Sequence, residues 1–335
     1  MATLATAAAL VLTASGCVTV HGEREIVPAA TKAEAAQALK DFTDAYNKAD
    51  KAYDPALVAG RVTGALGAIN QAGLKARRTQ SPGGNRAHQP LALSDARFLI
   101  PKRAGWPRWF VADTDSNRDT EGGDKRADTR WLLVFVRGGA DQLWEASHLL
   151  TLRKSELPEF AVDGEGWAKT ADESTLQVPP QDLSQAYATY LQTPPGKPAT
   201  SGGLATAFAP GPDTTAWLAS RKRASQRVGR SMQYLDQALN TGAFAPVGLA
   251  TKDGGGFVFF ASRHFEKQTA ARGVPLLDLN ADVRALMTGT AKSTLLKERV
   301  SSQVALVPKK GAQGAAGPAV ELQSRVQGLV SATGS

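Results

Sequence analysis

The sequence predicts an α+β protein made of two tandem helix-on-antiparallel-sheet units, and three observations carry that expectation. The chain has 335 residues, a length that accommodates two domains of ordinary size. Each half opens on apolar residues at helical spacing and continues into runs of extended pattern. Between the halves stand Pro179-Pro180 and the cluster Pro194 to Pro198, where neither a helix nor a strand ladder runs on unbroken. Hydrophobic residues make up 42% and charged residues 21%, a balance that excludes a disordered, collagen-like or polytopic membrane chain.

The first unit is expected over residues 31–172. Thr31-Lys32-Ala33-Glu34 has capping-box spacing, and Ala35, Ala38, Leu39, Phe42, Ala45, Tyr46 and Ala49 continue it as a helical stripe, with Lys40 and Asp44 paired on the far side. Asp54-Pro55 reads as N-cap and first position of a second helix, with Val58, Val62, Ala65, Leu66 and Ile69 buried and Gly73 as its stop. After a polar loop over Arg77 to Gln89, strands are expected at Leu91–Ile100, Trp109–Ala112, Arg130–Arg137 and Gln142–Leu152, with a tight turn at Gly138-Gly139.

Residues 173–199 form a linker whose proline brackets enclose a short amphipathic helix marked by Leu183, Tyr187 and Leu191. The second unit, over 200–333, repeats the order. A long helix is expected from Thr214 to Asn240, with Trp217, Val228, Met232, Leu235 and Leu239 on one face. Strands follow at Val247–Lys252, Phe257–His264, Val300–Val307 and Val320–Val330, a short helix falls within Leu276–Met287, and Gly311 to Pro318 closes the last hairpin. Each half is expected to bury its own core. A helix laid across a curved antiparallel sheet resembles the plan of the nuclear-transport-factor-2-like and cystatin-like folds, a likeness that carries no function.

The N-terminus points to export. Residues 1–22 hold no Lys, Arg, Asp or Glu, and the apolar run Leu4 to Leu12 is shorter than the roughly 17–25 residues a membrane span requires. Small residues precede the single cysteine, and Leu12-Thr13-Ala14-Ser15-Gly16-Cys17 resembles a bacterial lipobox, departing from it at Ala14. The resemblance implies a signal peptide over 1–16, a diacylglyceryl group on Cys17 after cleavage, and a tether over 17–30. The membrane would then be a partner through that lipid, on the extracytoplasmic face. The alternative for the same residues is a secreted chain with a free Cys17, or an uncleaved leader.

Little in the chain promises chemistry. One cysteine excludes a disulfide framework, and four histidines (His21, His88, His148, His264) leave little for a metal centre; no metal or other cofactor is expected. Asp113-x-Asp115-x-Asn117-x-Asp119-x-Glu121-x-x-Asp124 is spaced like a calcium loop, yet Arg118 stands where the turn needs glycine, so a solvated hairpin is the simpler reading. Trp144 and His148 fall on one face of their strand by alternation and are the candidate ligand-binding pair, the alternative being a packed core. Arg221, Lys222, Arg223, Arg227 and Arg230 form a basic cluster within a net charge of +8; a solvated helix face explains it, or contact with anionic lipid or cell-wall polymer. Nucleic acid is not an expected partner of an exported chain, and no H-E-x-x-H, G-x-S-x-G or S-x-x-K motif is present.

The lipobox, the tether Val18-Thr19-Val20-His21-Gly22-Glu23-Arg24-Glu25 and the Ala-, Gly- and Arg-rich body together resemble a group of actinobacterial lipoproteins, domain of unknown function 8094. The resemblance implies an address and no activity. Two functional classes follow. The first is a non-enzymatic module that holds a small molecule or an envelope protein. The second is a cell-envelope hydrolase drawing acid–base residues from the first unit. The scarcity of His and Cys favours the first.

Overall fold

The computed structural model describes residues 25–119, 128–193, 200–201, 204–205, 208–277, 279–311 and 319–335. The expected signal peptide, Cys17, most of the tether, the acidic residues after Asp119 up to Asp124, the Pro194–Pro198 cluster and most of the last hairpin loop lie outside the described residues.

The fold begins earlier than the tether expectation. Strand β1 (Val27–Pro28) pairs with β3 (Lys102–Arg103), and Ala29 and Ala30 are buried. Helix α1 (Lys32–Ala52) starts at the expected capping box: the Glu34 amide donates to Thr31 Oγ1 at 3.1 Å and the Thr31 amide to Glu34 Oε2 at 2.8 Å. The second helix departs from expectation. Pro55–Leu57 and Ala59–Arg61 are single 3₁₀ turns, and helix α2 (Gly64–Gln80) starts later and runs through Gly73. Gly73 stops nothing because its φ stays out of the positive region that a glycine helix cap adopts.

Strands β2 (Leu93–Leu99), β4 (Arg108–Ser116), β5 (Thr129–Arg137) and β6 (Glu145–Arg153) make a four-stranded antiparallel sheet in that order. Helix α3 (Pro180–Gln192) is the expected proline-bracketed helix, and two-residue strands β7 (Thr200–Ser201) and β8 (Leu204–Ala205) follow. The long second-unit helix is corrected: α4 covers only Trp217–Ser225, a turn intervenes, and Arg230–Leu239 is strand β9. Met232, Tyr234 and Asp236 alternate as a strand requires, and Val228 and Leu235, expected on a buried helix face, are exposed. The helix that covers the second sheet is α3, whose Leu183, Tyr187 and Leu191 are buried against it.

The second sheet contains β10 (Val247–Ala250), β11 (Gly256–Ala270), β13 (Thr294–Val307), β14 (Glu321–Gly334) and β12 (Met287–Gly289), preceded by the six-residue helix α5 (Ala281–Leu286). Strand β11 is long enough to pair first with β10 and then, farther along the same edge, with β9. Its other edge pairs antiparallel with β13, which pairs antiparallel with β14; β12 joins β14 in parallel at the far edge.

The layers stack as helix, sheet, sheet, helix. Alternation sends Phe110, Ala112, Leu133 and Phe135 outward onto α1, where Phe42 meets Phe135 edge-on at 6.0 Å. The intervening residues Trp109, Val111, Leu132 and Val134 point inward and pack against Phe257, Phe259 and Val304 of the second sheet. That sheet's outer residues, Val258, Phe260 and Ala305, lie under α3. The two halves therefore have outer cores of their own and share an inner one. Both faces of the central strands are apolar, and reading each strand for one buried face left the shared core unseen. Helix α2 crosses between halves, with Ala65 and Ile69 packed against Ala261 and Val300.

Candidate functional site

Trp144 and His148 do not meet. Ser147 is an extra residue in β6, with Val134 opposite His148 but Phe135 opposite Ala146, and such a bulge shifts the alternation by one. Trp144 therefore faces α1, its ring edge-on to Phe110 at 4.9 Å and under the Arg137 guanidinium at 4.8 Å. His148 faces the inner core, 6.3 Å from the Phe259 ring, with Nδ1 3.0 Å from Ser147 Oγ. Trp144 is 7% and His148 1% exposed. Burial pushes the His148 pKa down to about 4, an effect that the Phe260 backbone partly offsets.

A polar cluster that the sequence did not reveal lies on the outer face of the second sheet. Asp236 of β9 accepts from both terminal guanidinium nitrogens of Arg221 at 2.7 Å and is 2.7 Å from His264 Nδ1. His264 Nε2 is in turn 3.0 Å from Ser262 Oγ, which the Gln303 carboxamide meets at 2.5 Å. Burial alone would raise Asp236, but the hydrogen bonds from His264 and Arg221 outweigh it and hold the carboxyl below its ordinary range. His264 is shifted down, burial exceeding the pull of Asp236. The order Ser–His–Asp is that of a nucleophile relay. Ser262 is fully buried, however, and both of its polar neighbours already belong to the sheet, so the cluster joins α4 to β9 and β11 without offering a substrate path. Asp236 and His264 lie directly opposite each other in the β9–β11 register, a pairing that local sequence pattern cannot show.

The acidic loop is also committed to structure. Asp113 is buried and accepts from Arg130 Nε at 2.6 Å, Asp115 accepts from the Ser116 amide, and Asp119 accepts from the Thr129 amide and Trp131 Nε1. These contacts occupy oxygens that a calcium ion would need.

Open space lies elsewhere. A cleft of about 450 Å3 runs between α2 and the α5–β14 side of the second sheet, lined on its apolar side by Tyr46, Trp131 and Leu286 and on its polar side by Asn70, Asn280 and Arg299. Gly73 also borders it, and the absent side chain leaves the cleft room. Asn70 borders the cleft, and its Oδ1 is buried without a hydrogen-bond partner among the described residues. Neither Trp144 nor His148 borders this cleft. Sequence reasoning missed it because its walls come from both halves; Gly73 in an otherwise continuous helical stripe was the available signal.

Comparisons with known proteins place these features in a group. The chain is 51% identical to an uncharacterized lipoprotein of Streptomyces coelicolor over 98% of its own length and 94% of that protein. It is 50% identical to an uncharacterized lipoprotein of Streptomyces avermitilis, over 98% of this chain and 93% of the relative. A second uncharacterized lipoprotein of Streptomyces coelicolor is 28% identical over 65% of this chain and 59% of its own length. No solved structure matches. Residues 26–334, a span that takes in every described helix and both packed sheets, match one family model, and the chain belongs to that family: the domain of unknown function 8094.

Proposed function

We propose that this protein is a lipid-anchored, non-enzymatic binding module on the extracytoplasmic face of the cell membrane, and that its ligand is a small molecule held in the cleft between α2 and the second sheet. The anchor rests on the lipobox-like run before Cys17 and on the lipoprotein names of the relatives. Diacylation supplies two acyl chains, which stable anchoring requires where one chain gives only marginal binding.

The orphaned Asn70 carbonyl carries the ligand site. A buried acceptor without a partner costs roughly 1–3 kcal/mol, and a ligand donor that draws the Asn70 carboxamide into the cleft it borders removes that cost. The cleft's volume of about 450 Å3 falls in the range of small-molecule sites. Trp131 and Tyr46 supply flat apolar surface. Arg299, which has no ion-pair partner among the described residues, favours a ligand with an anionic group. The burial of the Ser262–His264–Asp236 relay supports binding over hydrolysis.

Two measurements test the two parts separately. Mass spectrometry of the membrane fraction should find diacylglyceryl on Cys17, and Cys17→Ala should release the chain or leave a precursor; an unmodified thiol in membrane-retained protein defeats the anchor. For the ligand, native mass spectrometry of the full chain exposed to the small-molecule fraction of an envelope extract should show a retained mass that Asn70→Leu abolishes. Retention unchanged by Asn70→Leu and by Trp131→Ala defeats the cleft assignment.

A further inference from the structure

The turn that joins α4 to β9 concentrates uncompensated positive charge. From Leu218 to Leu235 the chain carries Arg221, Lys222, Arg223, Arg227 and Arg230 and no acidic residue. Arg221 is neutralised by Asp236. Lys222 and Arg223 sit in the last turn of α4, where cations offset the helix dipole. Arg227 and Arg230 lie beyond the helix end, so the dipole does not explain them. Arg227 has no ion-pair partner among the described residues, and Arg230 Nε donates to the Pro275 carbonyl at 3.0 Å.

Both arginines line a cleft of about 220 Å3, with Trp217, Tyr234 and Gln268 as its deeper wall. Glu266 also borders the cleft, but it is held by Lys297 at 2.6 Å. A second loop fixes the rim. The Ala271 amide donates to the Gly229 carbonyl at 2.8 Å, which brings exposed Arg272 beside the turn. Gly229 has φ of 75°, and a Cβ there would stand 3.0 Å from Val274, so the two loops meet closely and in a conformation that favours glycine.

The position of this cleft narrows the choice of partner. The chain enters the fold at β1, beside Pro101; Pro101 bridges to Ala168 and Thr170 bridges to Leu249, next to the Gly256 end of β11. The basic cleft lies at the opposite, Ala270 end of that strand, about 45 Å away at the usual rise per residue. A molecule tethered by residues before Glu25 thus presents the cleft away from its anchored end.

We propose that this cleft and its rim bind a phosphate-bearing polyanion, a phosphodiester polymer of the cell envelope lying beyond the membrane surface. Guanidinium forks match phosphate edges in bidentate fashion; each phosphodiester offers one such edge of two non-bridging oxygens, so successive phosphates along one chain meet Arg227 and Arg230 in turn. The cations extend past the cleft through Arg223 and Arg272, matching a chain of anions better than a single one. The site is separate from the cleft beside α2; only the source of the polymer rests on the anchored reading.

The test uses the full-length chain in detergent, with sodium polyphosphate as the probe and calorimetry as the readout. Arg227→Ala combined with Arg230→Gln should weaken binding at least about tenfold and make the logarithmic salt dependence shallower by about two charges. Removing two exposed cations elsewhere, Lys75→Ala with Arg86→Ala, should change binding by less than about twofold. If the Arg230 variant fails to fold, Arg223→Ala with Arg227→Ala replaces it, since both side chains are exposed. Equal losses in the two sets of variants would reduce the effect to net charge and overturn the proposal. Tighter binding to phosphatidylglycerol vesicles, tighter binding to polyglutamate, or equal competition by inorganic phosphate at the same phosphate concentration would also overturn it.

Discussion

Trp144, just before β6, and His148, within it, face opposite layers of the molecule because Ser147 bulges between them. Each is therefore a separate packing element. Trp144→Ala should destabilise the fold by about 3–5 kcal/mol, the usual cost of emptying a large aromatic site, and His148→Ala by less. Thermal unfolding measures both, while ligand retention at the Asn70 cleft should persist in any variant that remains folded. Loss of retention in a folded Trp144→Ala protein would return that residue to the binding site.

The second prediction concerns acid. His148 is neutral when folded, with its pKa down at about 4, whereas the unfolded side chain titrates near 6.5. The unfolded state thus binds the proton first. Stability is fully present above about pH 6.5, falls as pH drops from there toward 4, and loses about 3 kcal/mol in all from this group. His264 is shifted in the same direction and adds to the loss. Chemical denaturation between pH 4 and 8 should show the decline, and His148→Phe, which removes the titrating group, should flatten it. A slope identical in the two proteins would show that His148 contributes nothing.

A third prediction addresses the Arg221–Asp236–His264 cluster. Asp236→Ala strands a buried guanidinium beside an imidazole, and unpairing of this kind typically costs 3–5 kcal/mol. Replacing the pair together, Arg221→Met with Asp236→Leu, should cost less than Asp236→Ala alone, because no buried charge is left without its partner. Urea midpoints of the three proteins decide this, and a double variant weaker than the single one refutes the assignment.

The fourth concerns Gly64, the first residue of α2. Its φ is 54°, and a Cβ there would fall 2.4 Å from the Ala243 carbonyl oxygen in the opposite half. Gly64→Ala combines left-handed strain of about 1–3 kcal/mol with a backbone clash, so its melting temperature should fall well below that of Gly73→Ala. At Gly73 a methyl group meets nothing within 4 Å and enters only the cleft. Equal melting temperatures would mean that the halves are not pressed together at this point.

What could be read in the sequence was local. The Thr31–Glu34 capping box and the Lys40–Asp44 pair involve partners within a few residues of one another, and both form where expected; the tight turn expected at Gly138-Gly139 is instead a seven-residue connection between β5 and β6. β9 could not be read in this way. Val228, Met232, Leu235 and Leu239 fall at helical spacing by coincidence, while the strand's role is set by pairing with β11 about thirty residues later. The Asn70 cleft was hidden for the same reason, because α2 meets α5 and β14 only after the chain has crossed both sheets. The bulge at Ser147 has no local signature, and its one extra residue reversed the expectation for His148.

The place of β14 sets an order of events in time. Strand β14 pairs along its length with β13, its last three residues lie between β13 and β12, and its residues form one wall of the space that α2 occupies. Until Glu321–Gly334 has paired, the edge of β13 is open and the apolar side of α2 is only partly covered. Folding therefore waits on a strand that pairs with β13 and packs on α2, about 250 residues earlier in the chain, and such contacts between residues far apart in sequence slow folding and prolong the exposure of sticky intermediates. Deleting residues 321–334 strips β13 of its partner strand and should leave a chain that is degraded rather than one that is merely shortened.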